Sequence, residues 1–139
     1  MQSSLKTRSG TTATELAVVL PLLVLVTLAC SDFARVIQYR QLVANAARTG
    51  AHRGAMQQCT DYTRSDWEQQ VRQTVVDELQ HLEQFDASAT VIAVESTEDL
   101  SGKQHAAVEV ELPFDTMIAW PGLPSRVLLN HRAEFQHFR

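Results

Sequence analysis

The sequence predicts an α+β fold: a long N-terminal helix with a membrane half and an exported half, a second helix, and a small antiparallel sheet of about three strands. Three observations carry this. Every residue from Leu16 to Cys30 is apolar except Thr27, and the stretch after it, FARVIQYRQLVANAARTGAHRGAM, keeps a helical pattern without a break. Trp67, Val71, Val75, Leu79 and Leu82 then recur at spacings of three and four, the mark of one helical face. Beyond residue 90 the apolar period falls to two, as along a half-buried strand.

The first helix is expected over residues 12–55. Phe33, Val36, Ile37, Arg40, Val43, Ala44, Ala47 and Ala51 form its expected face. Gly50 and Gly54 weaken its far end, because glycine is a poor helix former. Residues 11–31 as helix span roughly 32 Å, just enough to cross a bilayer. Pro21 lacks an N–H and crowds the carbonyl of Ala17, so a kink is expected there. Lys6 and Arg8 precede the apolar run and place the N-terminus in the cytoplasm.

RGAMQQCTDYTRS (53–65) reads as a flexible link. Ser65 and Glu68 have the spacing of a capping box, and the second helix is expected at about 66–84, with Trp67 in the core. TVIAVES (90–96) reads as a strand, followed by a turn at 98–103. QHAAVEVELPF comes next, with Ala106, Val108, Val110 and Leu112 facing inward and Ala107, Glu109 and Glu111 outward. The loop DTMIAWPGLPS is too apolar for a free loop, and its Met117, Ile118 and Trp120 fit a cover over the core better than a membrane or partner contact. RVLLNHRAEFQHF closes the chain as a strand, with Val127, Leu129, His131, Ala133 and Phe135 on one face.

The chain has 12 Lys and Arg against 16 Asp and Glu, a net charge of −4. Nothing in that balance favours nucleic acid, which selects a basic face. Cys30 and Cys59 would lie roughly 43 Å apart on one continuous helix, too far for an intrachain bridge. Cys30 is expected to be a buried apolar residue and Cys59 a free thiol. No catalytic constellation is found, and the chain is not expected to be an enzyme. His52, His81, His105, His131 and His137 show no zinc-binding spacing, so no metal is expected. No glycine-rich phosphate loop or GxSxG is present, so no cofactor or small-molecule substrate is expected. Glu109 and Glu111 share a strand face that fits solvation better than acid–base chemistry.

Glu15 decides between readings of the N-terminus. A cleaved signal peptide, or a lipoprotein signal cut before Cys30, gives this carboxylate no task. In a retained anchor cut after Gly10, the new α-amine of Thr11 lies four residues before Glu15 and can pair with the Glu15 of a neighbouring copy. The simpler alternative is a carboxylate that snorkels to the headgroups.

Gly10, followed by Glu15 at what would be the fifth mature position and then by an apolar helix, resembles a type IV prepilin leader. The stretch RSGTTATELAVVLPLLVLVTLACSDFARV resembles the start of a TadE-like pseudopilin, with Arg8, Gly10, Glu15, Pro21, Phe33 and Arg35 at matching places. VEVELPFDTMIAWPGLP is similar to the family's C-terminal half. Leu16 departs from the pattern, since family members often have an aromatic residue or Ala there. The resemblance implies a pilin-like, membrane-anchored minor pseudopilin acting in assembly of a tight-adherence (Tad/Flp) pilus. It implies cleavage between Gly10 and Thr11 by a prepilin peptidase, with Glu15 serving processing or subunit contact. The implied partners are the membrane, that peptidase, other pilin or pseudopilin subunits and the pilus assembly platform. The layout is then a cytoplasmic leader at 1–10, a transmembrane helix at 11–31 and an exported α+β domain at 32–139. The N-terminus lies in the cytoplasm, the anchor in the inner membrane and the C-terminus in the periplasm or beyond. The alternative is an exported lipoprotein or single-pass anchored binding module unrelated to pili.

Overall fold

The computed structural model describes residues 8–82, 85–118, 122 and 124–137, the side chains of 8–11 excepted. The order of elements is α1 (Arg8–Ala55), α2 (Arg64–Leu79), β1 (Val91–Glu98), β2 (Gln104–Asp115) and β3 (Arg126–Gln136). This is the expected α+β arrangement. The expectations for residues 1–7 of the leader, and for Trp120 and Pro121 in the β2–β3 loop, lie outside the described residues. The chain divides into two compact units, one ending at Arg35 and the other running from Val36 to Arg139.

The first unit is helix. α1 runs through Pro21, where the missing N–H removes one backbone bond. Cys30 is exposed rather than buried. Its neighbours along the run, Leu16 to Leu28, are equally outward-facing, because within this unit a lone helix offers its side chains nothing to pack on. Asp32 is the exception: it is buried, with Arg35 Nη1 at 3.7 Å from Oδ1 one turn on.

In the second unit the sheet has the order β1-β2-β3, antiparallel throughout. The registers Val94↔Val108 and Val108↔Ala133 put Ile92, Val94, Ala106, Val108, Val110, Leu112, Phe114, Leu129 and Ala133 on one face. The 36–55 part of α1 and the whole of α2 supply the rest of the core: Tyr39, Val43, Ala46, Ala47, Ala51 and Ala55 from one, Trp67, Val71, Val75 and Leu79 from the other. Each large side chain so buried stabilises the unit by about 1.5–3 kcal/mol. The other face of the sheet carries Glu95, Glu109, Glu111, Asn130, Arg132 and Glu134 and is laced by their contacts. Arg132 Nη2 donates to Glu95 at 3.1 Å, and Asn130 Nδ2 donates to Glu109 at 2.9 Å and to Glu111 at 3.1 Å. Ala107, expected on the wet side, does lie on that face but is buried, because its cross-strand partners are the long side chains of Glu95 and Glu134.

Other expectations need correction. The buried stripe of α1 matches only part of the one that apolar spacing picked out: Val43, Ala47 and Ala51 are buried and Val36 packs on the core, but Phe33, Ile37 and Arg40 are exposed, while Tyr39, Ala46, Gly50 and Gly54 are buried. Ser65 and Glu68 form no capping box. The helix starts two residues earlier, with Thr63 at the N-cap and no side-chain cap bond, and Glu68 is taken by Arg64 Nε at 3.4 Å. The Thr63 hydroxyl is spent on the preceding turn, 2.8 Å from that of Thr60. That turn also ties down much of what read as a flexible link. α2 ends at Leu79, five residues early. Leu82 still reaches the core because the tight turns Leu82 N–H to Leu79 O (3.0 Å) and Phe85 N–H to Leu82 O (3.2 Å) carry it there.

Candidate functional site: the N-terminal segment

The segment singled out by sequence is built by α1 alone. Gly10 and Thr11 lie in the first turn of that helix, two and three residues from its start at Arg8. Glu15 follows one turn after Thr11, roughly 6 Å along the axis at 1.5 Å per residue, and its side chain is exposed. Leu16, Val18, Val19, Leu20, Leu22, Leu23, Val24, Leu25 and Val26 are each about half exposed or more. Such a surface is unfavourable in water and favourable in hydrocarbon or against other apolar helices.

One helix of the described residues is long and apolar enough to cross a membrane, and it lies near the N-terminus. The first described polar group inside the run is the Thr27 hydroxyl, which donates to the carbonyl of Leu23 one turn back. Thr27 therefore costs little in an apolar setting. Glu15 has no equivalent within the run. Pro21 sits between them and leaves the carbonyl of Ala17 without its usual helical donor, a group that a neighbouring helix can satisfy.

No other part of the described chain gathers chemistry of the kind considered from sequence. No group of three or more His, Cys, Asp or Glu that could hold a metal occurs among the described residues. Glu109 and Glu111 are occupied by Asn130, and Glu109 also lies 3.8 Å from Arg132. An arrangement with no signal in the sequence lies at the end of the sheet where β1 turns into β2 and β3 finishes. There the His137 ring stacks on Trp67 with centroids 6.4 Å apart. His105 stands with Nδ1 at 3.3 Å from Glu134 and Nε2 at 3.8 Å from Asp99. Beside them opens a polar cleft of about 840 Å³ lined in part by Cys59, Glu98, Lys103 and His137. Residues so far apart in the chain leave no spacing signal; only the strand register brings them together.

Comparison with known proteins bears on the first of these regions. No curated protein and no solved structure matches the chain. The family model for TadE-like protein matches residues 10–52, from Gly10 in the first turn of α1 to its last turn in the second unit. That span holds Gly10, Glu15 and Pro21 and the apolar helix between them, and over it the chain is similar to TadE-like proteins.

Proposed function

We propose that this chain is a membrane-anchored minor pseudopilin that acts in assembly of a Tad/Flp-type pilus for adherence, without enzymatic activity of its own. A prepilin peptidase cuts it between Gly10 and Thr11. The observation that carries the reading is one continuous helix, exposed along its apolar run and matched over residues 10–52 by the TadE-like family. The scissile bond lies in the first turn, where a helix frays at least cost and a protease can take hold of it.

Cleavage changes the electrostatics of Glu15. In the uncut chain it is the eighth residue of α1, and the first turn holds no acid. After cleavage it is the fifth, close to a new α-ammonium and to the positive end of the helix dipole. When helices pack in the membrane, the ammonium of one copy and the Glu15 of another subunit neutralise each other and set their register. The peptidase, other pilin or pseudopilin subunits and the assembly platform are the partners. The anchor sits in the inner membrane with the C-terminal unit exported.

The test is the N-terminal sequence and intact mass of the chain co-expressed with a Tad-type prepilin peptidase. A mature N-terminus at Thr11 is expected. A lipidated N-terminus at Cys30 would overturn the reading in favour of an exported lipoprotein, and an uncut chain would leave a plain anchor. Glu15→Gln is then expected to abolish or strongly reduce pilus assembly while leaving the protein in the membrane. Normal piliation with that variant would rule out the pairing role.

A further inference from the structure

We propose that the His137–Trp67 stack, backed by His105, is a proton-sensitive latch that holds the end of β3 against α2 and opens in acid. Trp67 is 2% exposed and its indole N–H donates to the carbonyl of Gly54 at 3.1 Å. His137 covers it as a stacked ring, held in place by its own backbone N–H, which donates to Gln104 O at 2.8 Å. His137 Nε2 is buried with no hydrogen-bond partner, and so is His105 Nε2. A neutral imidazole tolerates this, since one nitrogen then carries only a lone pair. An imidazolium has a donor on both nitrogens, and burying a charged donor without an acceptor is costly. A protonated His137 would therefore gain by leaving the stack for water.

The surroundings act in the same direction. Burial pushes the His137 pKa below its ordinary 6.5, and charge on His105 pushes it further down. The charged and titratable groups at this end are Cys59 from the α1–α2 link, Glu98 at the end of β1, Asp99 and Lys103 in the turn, His105 on β2 and Glu134 on β3. His52 of α1 faces Phe135 with ring centroids 5.8 Å apart. The two carboxylates nearest an imidazole, Asp99 and Glu134, are placed on His105. Among the described residues no carboxylate is so placed on His137, and a charge on His105 opposes one on His137. Attraction between an imidazolium and the indole face does not compensate at 6.4 Å, because such contacts matter within about 6 Å.

The experiment is acrylamide quenching of Trp67 in the full-length chain in detergent. Trp120→Phe is the background, so that Trp67 is the one remaining tryptophan. Acrylamide is uncharged and its access reports opening directly. Between about pH 8 and about pH 5 the quenching constant is expected to rise about threefold or more, with a midpoint below the ordinary histidine value. His137→Phe keeps a ring on Trp67 without a titratable group, and its quenching is expected to stay low throughout. The same rise in His137→Phe, or none in the background chain, would overturn the proposal. If His137→Phe is already strongly quenched at pH 8, the decision passes to His105→Gln. That variant removes the repelling charge and should move the midpoint upward; an unmoved midpoint would overturn the latch.

Discussion

Single atoms decide the closest contact in the core. A Cβ added at Gly50 would sit 2.5 Å from Val75 Cγ2, and one at Gly54 would sit 3.0 Å from the Trp67 ring and 3.1 Å from Ala106 Cβ. At these glycines, which read as weak points of the helix, α1 lies too close to α2 and the sheet for a side chain to enter without a shift. Gly50→Ala gains about 1 kcal/mol of helix propensity but overpacks a filled core, at a cost of about 1–3 kcal/mol. The net is expected to be destabilising, and Gly50→Val clearly so, by a lowered thermal midpoint of the full chain. A raised midpoint for Gly50→Val would mean that α1 and α2 can move apart freely. His137 sets a second outcome at this scale. Its folded pKa lies below the 6.5 of the unfolded chain, so the unfolded state takes up protons first. Its stabilising contribution is complete above about pH 6.5 and is lost as pH falls toward the folded value. Asp86, Asp99 and Asp115 are also lowered, by Ser88, Ser101 and Arg126 respectively. Their contribution is lost only below the ordinary carboxylate value of 3.8. Two separate acid steps are therefore expected in urea-unfolding midpoints, and His137→Phe should remove the upper one alone.

Among the elements, the strands were the most legible from sequence. Period two is unambiguous when one face is buried, and each strand lies within two residues of its expected limits. The helices were legible in existence and, for α2, in face, since Trp67, Val71, Val75 and Leu79 are buried as expected; their starts and part of the α1 face were not. Apolar counting gives weight to Phe33 and Ile37 and none to Gly50 or Gly54, yet the stripe that packs is chosen by how closely backbones approach. Ile37 lies roughly 120° around the helix from Val43 at 100° per residue, which takes it off the buried stripe. The start of α2 shows a different failure. A Ser-x-x-Glu pattern competes with Thr63, which takes the cap position through Trp67 N–H to Thr63 O at 2.9 Å and Thr63 N–H to Thr60 O at 3.0 Å. Ser65→Ala is accordingly expected to change stability by less than about 0.5 kcal/mol. Thr63→Ala should cost about 0.5–1.5 kcal/mol by breaking its bonds to Thr60. Chemical denaturation of the two variants checks this. A Ser65→Ala loss of about 1 kcal/mol or more would restore the capping box. The His137–Trp67–His105 group was not legible at all, since only tertiary register assembles it.

For the whole molecule, α1 serves two masters, and the division at Arg35 marks where one gives way to the other. Upstream, the chain supplies an apolar helix whose side chains face outward; that part matches a family and was readable as an anchor. Downstream, the same helix contributes Tyr39, Val43, Ala46, Ala47, Ala51 and Ala55 to the core, with Tyr39 edge-on to Phe114 at 5.0 Å. All of the buried apolar cluster lies between Tyr39 and Ala133, so the second unit has what a domain needs to fold alone. A fragment of residues 36–139 is therefore expected to be soluble and to unfold in one cooperative transition. A fragment beginning at residue 56 loses the whole α1 share of the core. Tyr39 and Val43 alone are worth about 1.5–3 kcal/mol each, against a typical domain stability of about 5–15 kcal/mol, and the face of the sheet beneath them would be laid bare. That shorter fragment is expected to bind a hydrophobic dye and to show no sharp melt. Cooperative folding of the 56–139 fragment would mean that α1 is only an anchor with a decorative extension. Failure of 36–139 to fold would mean that the second unit depends on the apolar helix upstream of it for more than attachment.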